Sequence, residues 1–211
     1  MKNNENIQKM VVTAILLALT IVLQAYATTF RIGTYSLPLS LVVIAAGAIM
    51  YGPLVGSILG TGWGLFIFFA DTSCQAFMSY SVPGTIMAVI GRGFLDGFIT
   101  GLLAVLFKKI FKFKYGSYLA IFIPALLLPF INNLIFFLCE LTIFRDLIGM
   151  DKILGSFFTV NLLISTIISF IMAPVIVRIV NASKYILHLE EKPKVEEENL
   201  STDKVYSELE K

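Results

Sequence analysis

The chain has 211 residues, 57 % of them hydrophobic and 14 % charged, with a mean hydropathy of +0.86. A soluble domain is about half apolar but about a quarter charged. This chain therefore lacks the charge to cover a water-facing globule, to stay unfolded, or to present a basic face to nucleic acid. What remains is an all-α integral membrane protein. Its net charge of +2 conceals a split: residues 1–184 carry 12 Lys/Arg against 6 Asp/Glu, and residues 185–211 carry 4 Lys against 8 Asp/Glu.

A helix crosses about 30 Å of hydrocarbon with about 20 mostly apolar residues. Six segments qualify in chain order, at 9–28, 35–51, 53–70, 83–107, 118–141 and 153–180. The first resembles a signal peptide, with Lys2 and Lys9 ahead of it and Ala25-Tyr26-Ala27 near its end. Its apolar stretch is longer than a signal peptide's and five more spans follow, so it reads as retained. With the N-terminus inside, the inner flanks hold Lys2, Lys9, Lys108, Lys109, Lys112, Lys114, Arg178 and Lys184. The outer loops then hold only Arg31, Arg145 and Lys152. That bias places both termini in the cytoplasm. Residues 1–184 thus form a six-helix membrane domain. Residues 185–211, where Glu196, Glu197 and Glu198 repel one another, read as an acidic, poorly ordered cytoplasmic tail.

Small residues recur at helical spacing. Ala14 and Ala18 share a face of the first span, Gly56, Gly60 and Gly64 a face of the third, and Gly93, Gly97 and Gly101 a face of the fourth. Such stripes let backbones approach closely in lipid. The glycine stripes read as packing within the bundle, while the alanine pair faces either its own bundle or a partner. Trp63 and the two cysteines, Cys74 and Cys139, also read as packing residues.

Polar groups inside a membrane are costly and usually functional. Arg92 and Asp96 stand four apart on the fourth span, a spacing that suits an ion pair. Alternatively, Arg92 faces a cavity and offers its fork to an anionic or carbonyl-bearing solute. Asn132 and Asn133 follow Pro129 in the fifth span, and Asn161, Ser165 and Ser169 make a polar stripe on the sixth. Glu140 reads as an interfacial charge. The outer segment 71–83, with Phe77 and Tyr80, is expected to be a loop that caps a pocket. The polar-aromatic loop after the first span brings Tyr35 to the same side. The candidate substrate contacts are Arg92, Asp96, Asn132, Asn133, Asn161, Tyr35 and Tyr80.

Catalytic patterns are missing. The single histidine, His188, lies in the tail, there is no GxxxxGK[ST] phosphate loop, and no carboxylate cluster suits magnesium. The chain reads as a transport or binding protein, without enzymatic activity, metal or cofactor.

The six spans, the Ala14/Ala18 pair, the run Tyr51-Gly-Pro-Leu-Val-Gly-Ser-Ile-Leu-Gly, the fourth-span glycines and the Asn after Pro in the fifth span together resemble the substrate-binding S components of energy-coupling factor (ECF) transporters. The resemblance covers about residues 9–181. It implies a bacterial plasma-membrane protein that captures a vitamin or related micronutrient at its outer side. It also implies partnership with a shared membrane subunit and two cytoplasmic ATPases, and Ala14 and Ala18 as the docking surface. The stretch from Gly52 to Asp71 and the Pro129-Phe-Ile-Asn-Asn run look most like a pantothenate subgroup. Two readings stand beside this one. One is a self-contained secondary transporter with Arg92 and Asp96 as a proton or ion relay; the other is a membrane scaffold with no small-molecule site.

Overall fold

The computed structural model describes residues 2–29, 31–32, 35–36, 39–111, 116–150, 153, 166–176 and 178. Helix α1 (Lys2–Thr29) leads into a two-residue antiparallel pairing, β1 (Arg31–Ile32) with β2 (Tyr35–Ser36), in which Ile32 stands opposite Tyr35. Then come α2 (Leu39–Tyr51), α3 (Pro53–Ala70), α4 (Thr72–Tyr80) and α5 (Val82–Ile86). A π-helical turn (Met87–Gly91) joins α5 to α6 (Arg92–Ile110), followed by α7 (Gly116–Thr142) and α8 (Arg145–Ile148). A last apolar helix, α9, runs Thr166–Ile176.

Among the described residues, four helical stretches are long and apolar enough to cross a membrane: Ile7–Ala27, Pro53–Ala70, Val82–Ile110 and Tyr118–Thr142. These correspond to the first, third, fourth and fifth expected spans. The expected second span is the 13-residue α2. At 1.5 Å per residue it rises about 20 Å, short of the hydrocarbon thickness. It lies in the core of the bundle, with Ser40, Leu41 and the run from Val43 to Ile49 buried. The expected sixth span is seen as α9, and the rest of that span lies outside the described residues, as does the acidic tail. The expected loop 71–83 is largely helical, as α4 and the start of α5. Ser81 caps α5, its Oγ accepting the N–H of Gly84 at 3.2 Å.

The turn from α2 to α3 depends on Gly52, whose φ of +94° and extended ψ suit glycine alone. Pro53 then opens α3, where its missing N–H costs nothing. This reversal lays α3 against α2 and turns the glycine stripe of α3 onto that of α6.

The two stripes run antiparallel. A Cβ on Gly60 would collide with the carbonyl of Gly93, and one on Gly93 with the carbonyl of Gly60. Gly56 meets Gly97 in the same way, and a Cβ on Gly64 would come within 2.8 Å of Ile90 Cα and Val89 O in the π turn. At the far end Lys108 Nζ donates to the carbonyl of Ile49 at 2.9 Å, so one of the expected inner-flank cations also caps the C-terminus of α2.

Gly60→Ala and Gly62→Ala separate close backbone approach from ordinary packing. Gly60 is blocked by backbone, whereas a Cβ at Gly62 meets only the tip of the Leu17 side chain. Gly60→Ala is expected to lower stability by about 1–3 kcal/mol, as overpacking does. Gly62→Ala is expected to be near neutral, because added helix propensity offsets a small shift of Leu17. Thermal unfolding in detergent measures both, and equal losses would refute the backbone contact.

Candidate functional site

The π turn ends where the polar residues of α6 begin. The N–H of Arg92 reaches back to the carbonyls of Met87 and Val89, and π turns of this kind often mark functional positions. From there the buried stripe of α6 reads Gly93, Asp96, Gly97, Thr100, Gly101 and Ala104. Glycine lets α3 come close on one side, and Asp96 and Thr100 are held with no solvent exposure on the same helix.

Arg92 and Asp96 do not close into the hydrogen-bonded pair their spacing suits. Asp96 Oδ2 instead accepts Nδ2 of Asn132 from α7, while Asp96 Oδ1 and Arg92 Nε have no hydrogen-bond partner. The guanidinium lies between two aromatic rings, its Cζ 5.2 Å from the centroid of Trp63 and 4.6 Å from that of Phe136. Cations over ring faces are stabilised most where water is scarce. Among the described residues, Asp96, Cys139, Cys74 and Glu140 are titratable groups within electrostatic reach of it. Thr100 Oγ1 is a third buried polar atom without a partner, so the orphaned groups Arg92, Asp96 and Thr100 fall at i, i+4 and i+8 on one face.

The aromatic frame continues into α4. The Phe77 ring packs edge-on to Phe136 at 6.2 Å and leans on Phe144 at 4.7 Å, and Tyr80 lies 6.2 Å from Phe144. The segment expected to cap a pocket is therefore a helix tied by its rings to the same Phe136 that faces Arg92. Cys74 on α4 is buried; burial pushes its thiol up, Asp71 adds to this, and Arg92 opposes it. Neither Cys74 nor Cys139 is in a disulfide.

The remaining candidates divide. Asn132 is buried against Asp96, whereas Asn133 donates Nδ2 to the carbonyl of Pro129 in its own helix at 2.8 Å. Tyr80 is exposed at the end of α4. Tyr35 stands in β2. Asn161 and Ser165 lie outside the described residues, and Ser169 of their stripe is buried on α9. Glu140, expected as an interfacial charge, is only 5 % exposed, because α7 continues past it and turns into the buried Phe144. Ala14 and Ala18 both face out of the bundle.

Sequence reasoning missed Gln24. Its Oε1 accepts Ser40 Oγ at 2.6 Å and Trp63 Nε1 at 2.8 Å, joining α1, α2 and α3. The available signal was that Gln24 is the one amide in the apolar stretch 9–28. Two adjoining apolar grooves, about 530 and 440 Å³, lie apart from the polar cluster, on the α1–α3 surface around Leu17, Gly62 and Leu65.

The helices, the polar stripe and the outward alanine pair agree with one family. The chain belongs to the substrate-specific components of ECF transporters, whose family profile matches residues 8–182. It is therefore a membrane-embedded transporter subunit. No curated protein and no solved structure matches the chain.

Removing the amide of Asn132 leaves both oxygens of a buried carboxylate short of partners, and a stranded buried group costs about 1–3 kcal/mol or more when charged. Asn132→Ala is expected to destabilise the protein by at least that amount. Asn133→Ala, which loses one bond within its own helix, is expected to cost about 1 kcal/mol or less. Unfolding midpoints of the two variants check the order, and the reverse order would contradict the Asp96–Asn132 contact.

Proposed function

We propose that this chain captures a vitamin-like micronutrient at the outer face of a bacterial plasma membrane and hands it inward with the help of a shared membrane subunit and two cytoplasmic ATPases. In this reading the chain crosses the bilayer six times with both termini inside, and residues 185–211 form a solvated tail. The observation that carries the substrate side is Arg92: a guanidinium framed by Trp63 and Phe136, with Nε unpartnered. It suits a ligand with a carboxylate or carbonyl group, since Arg presents a planar set of donors. Asp96 Oδ1 is an unused acceptor on the same helix face and suits a hydroxyl or amide N–H. Pantothenate, which has a carboxylate, an amide and hydroxyls, fits both demands. Tyr80 and Tyr35 are proposed as further contacts from the outer segments, and Asn132 acts through Asp96. Asn133 and Asn161 are proposed as further polar contacts, Asn161 lying outside the described residues.

The outward alanine pair supports docking. Ala14 and Ala18 lie one turn apart on an exposed face of α1, where small side chains admit a partner helix closely. The chain has no phosphate-binding loop among its 211 residues, so energy for release comes from the ATPases.

The purified protein is expected to bind pantothenate without ATP, and Arg92→Ala to weaken binding at least tenfold, about 1.4 kcal/mol. Ala14→Trp and Ala18→Trp are expected to abolish assembly and uptake while leaving binding intact. Isothermal titration and uptake assays measure these. Uptake by the chain alone in liposomes with an imposed ion gradient would favour the secondary-transporter reading instead.

A further inference from the structure

We infer that Gln24 is a positioning residue that holds the Trp63 indole where its face carries Arg92; the consequence for binding rests on the reading of Arg92 as a substrate contact. Gln24 is 4 % exposed, Ser40 0 % and Trp63 5 %. A single oxygen, Gln24 Oε1, accepts from both Ser40 Oγ and Trp63 Nε1. An indole has one N–H and no acceptor, so this bond selects the ring edge that points at α1 and thereby the direction of the ring face. That face lies 5.2 Å from the Arg92 guanidinium.

Gln24 Oε1 bonds Ser40 and Trp63, so its effect on Arg92 passes through the ring. With a non-accepting residue at position 24, the indole N–H is left unpaired in an apolar interior, which favours turning the ring toward another acceptor. Arg92 then loses one of the two aromatic faces that hold it. A residue that merely fastened three helices together would change stability without changing what the Trp63 ring sees of Arg92.

The chain contains one tryptophan, so the intrinsic emission of the full-length protein in nanodiscs reports this ring alone and needs no ligand. Arg92→Leu is made in the wild-type background and in Gln24→Leu. In the wild-type background it is expected to shift the Trp63 emission maximum, and in Gln24→Leu that shift is expected to be lost. Gln24→Glu, which keeps an oxygen acceptor at the same reach, is expected to restore it. Ser40→Ala, which removes only the other bond to Oε1, is expected to leave it in place. Gln24→Met keeps the length without the acceptor and takes the place of Gln24→Leu if the latter does not fold. An Arg92 shift of the same size with and without the acceptor at position 24 overturns the inference. So does the absence of any Arg92 shift in the wild-type background. Pantothenate binding by Arg92→Ala is measured separately: unchanged affinity there refutes the substrate role of Arg92 and leaves the fluorescence result standing.

Discussion

In a bilayer, helices gain little by hiding leucine from one another, because lipid tails are equally apolar. Close packing and hydrogen bonds must hold the bundle, and the α3–α6 contact supplies the first. Glycine faces glycine along both helices, so backbone meets backbone with no Cβ between. The site inherits its geometry from this contact. Trp63 sits between Gly60 and Gly64 in sequence and Arg92 precedes Gly93, so the stripe that brings the helices together also brings the indole and the guanidinium together. A Cβ on Gly93 would reach within 3.3 Å of Trp63 Cε3. Packing of the helices and placement of the ring are one problem with one solution.

Hydrogen bonds supply the rest, and they are unevenly spent. Gln24, Ser40 and Trp63 satisfy one another across three helices, and Asn132 takes one oxygen of Asp96. Thr20, Ser57, Thr61 and Thr85 return their hydroxyls to the carbonyl four residues back, which neutralises a polar group locally and joins nothing. Against that background the unpaired atoms of Arg92, Asp96 and Thr100 stand out. A protein interior pairs its polar groups almost without exception. Three orphans on one face of one helix support the reading of that face as the wall that receives a polar ligand.

Much of this was legible from residue spacing. The glycine stripes announced close approach, and Gly52-Pro53 announced the tight turn. Apolar runs marked the four long helices because composition alone decides membrane insertion. What spacing could not give was partnership across the fold. Arg92 and Asp96 look like a hydrogen-bonded pair from their i, i+4 relation, yet the side chain that hydrogen-bonds Asp96 comes from 36 residues away. Gln24 reads as an isolated polar residue because its partners lie 16 and 39 residues on. The segment 71–83 is rich in small polar residues and reads as a loop, but Phe77 finds Phe136 and Phe144, and that burial favours the helix α4. Glu140 reads as a surface charge because nothing near it in sequence shows that it is buried.

Helix α1 joins the two ends of the problem. A small residue on a helix surface lets another backbone come close. Gly56 and Gly60 have such a neighbour inside this chain, whereas Ala14 and Ala18 face outward. That outward placement supports the proposed docking of a partner helix. Six residues beyond Ala18 the same helix carries Gln24 inward, about 9 Å along the axis. Under the proposed docking, α1 carries the partner surface on its outward side and, on its inward side, the amide that accepts the Trp63 indole N–H.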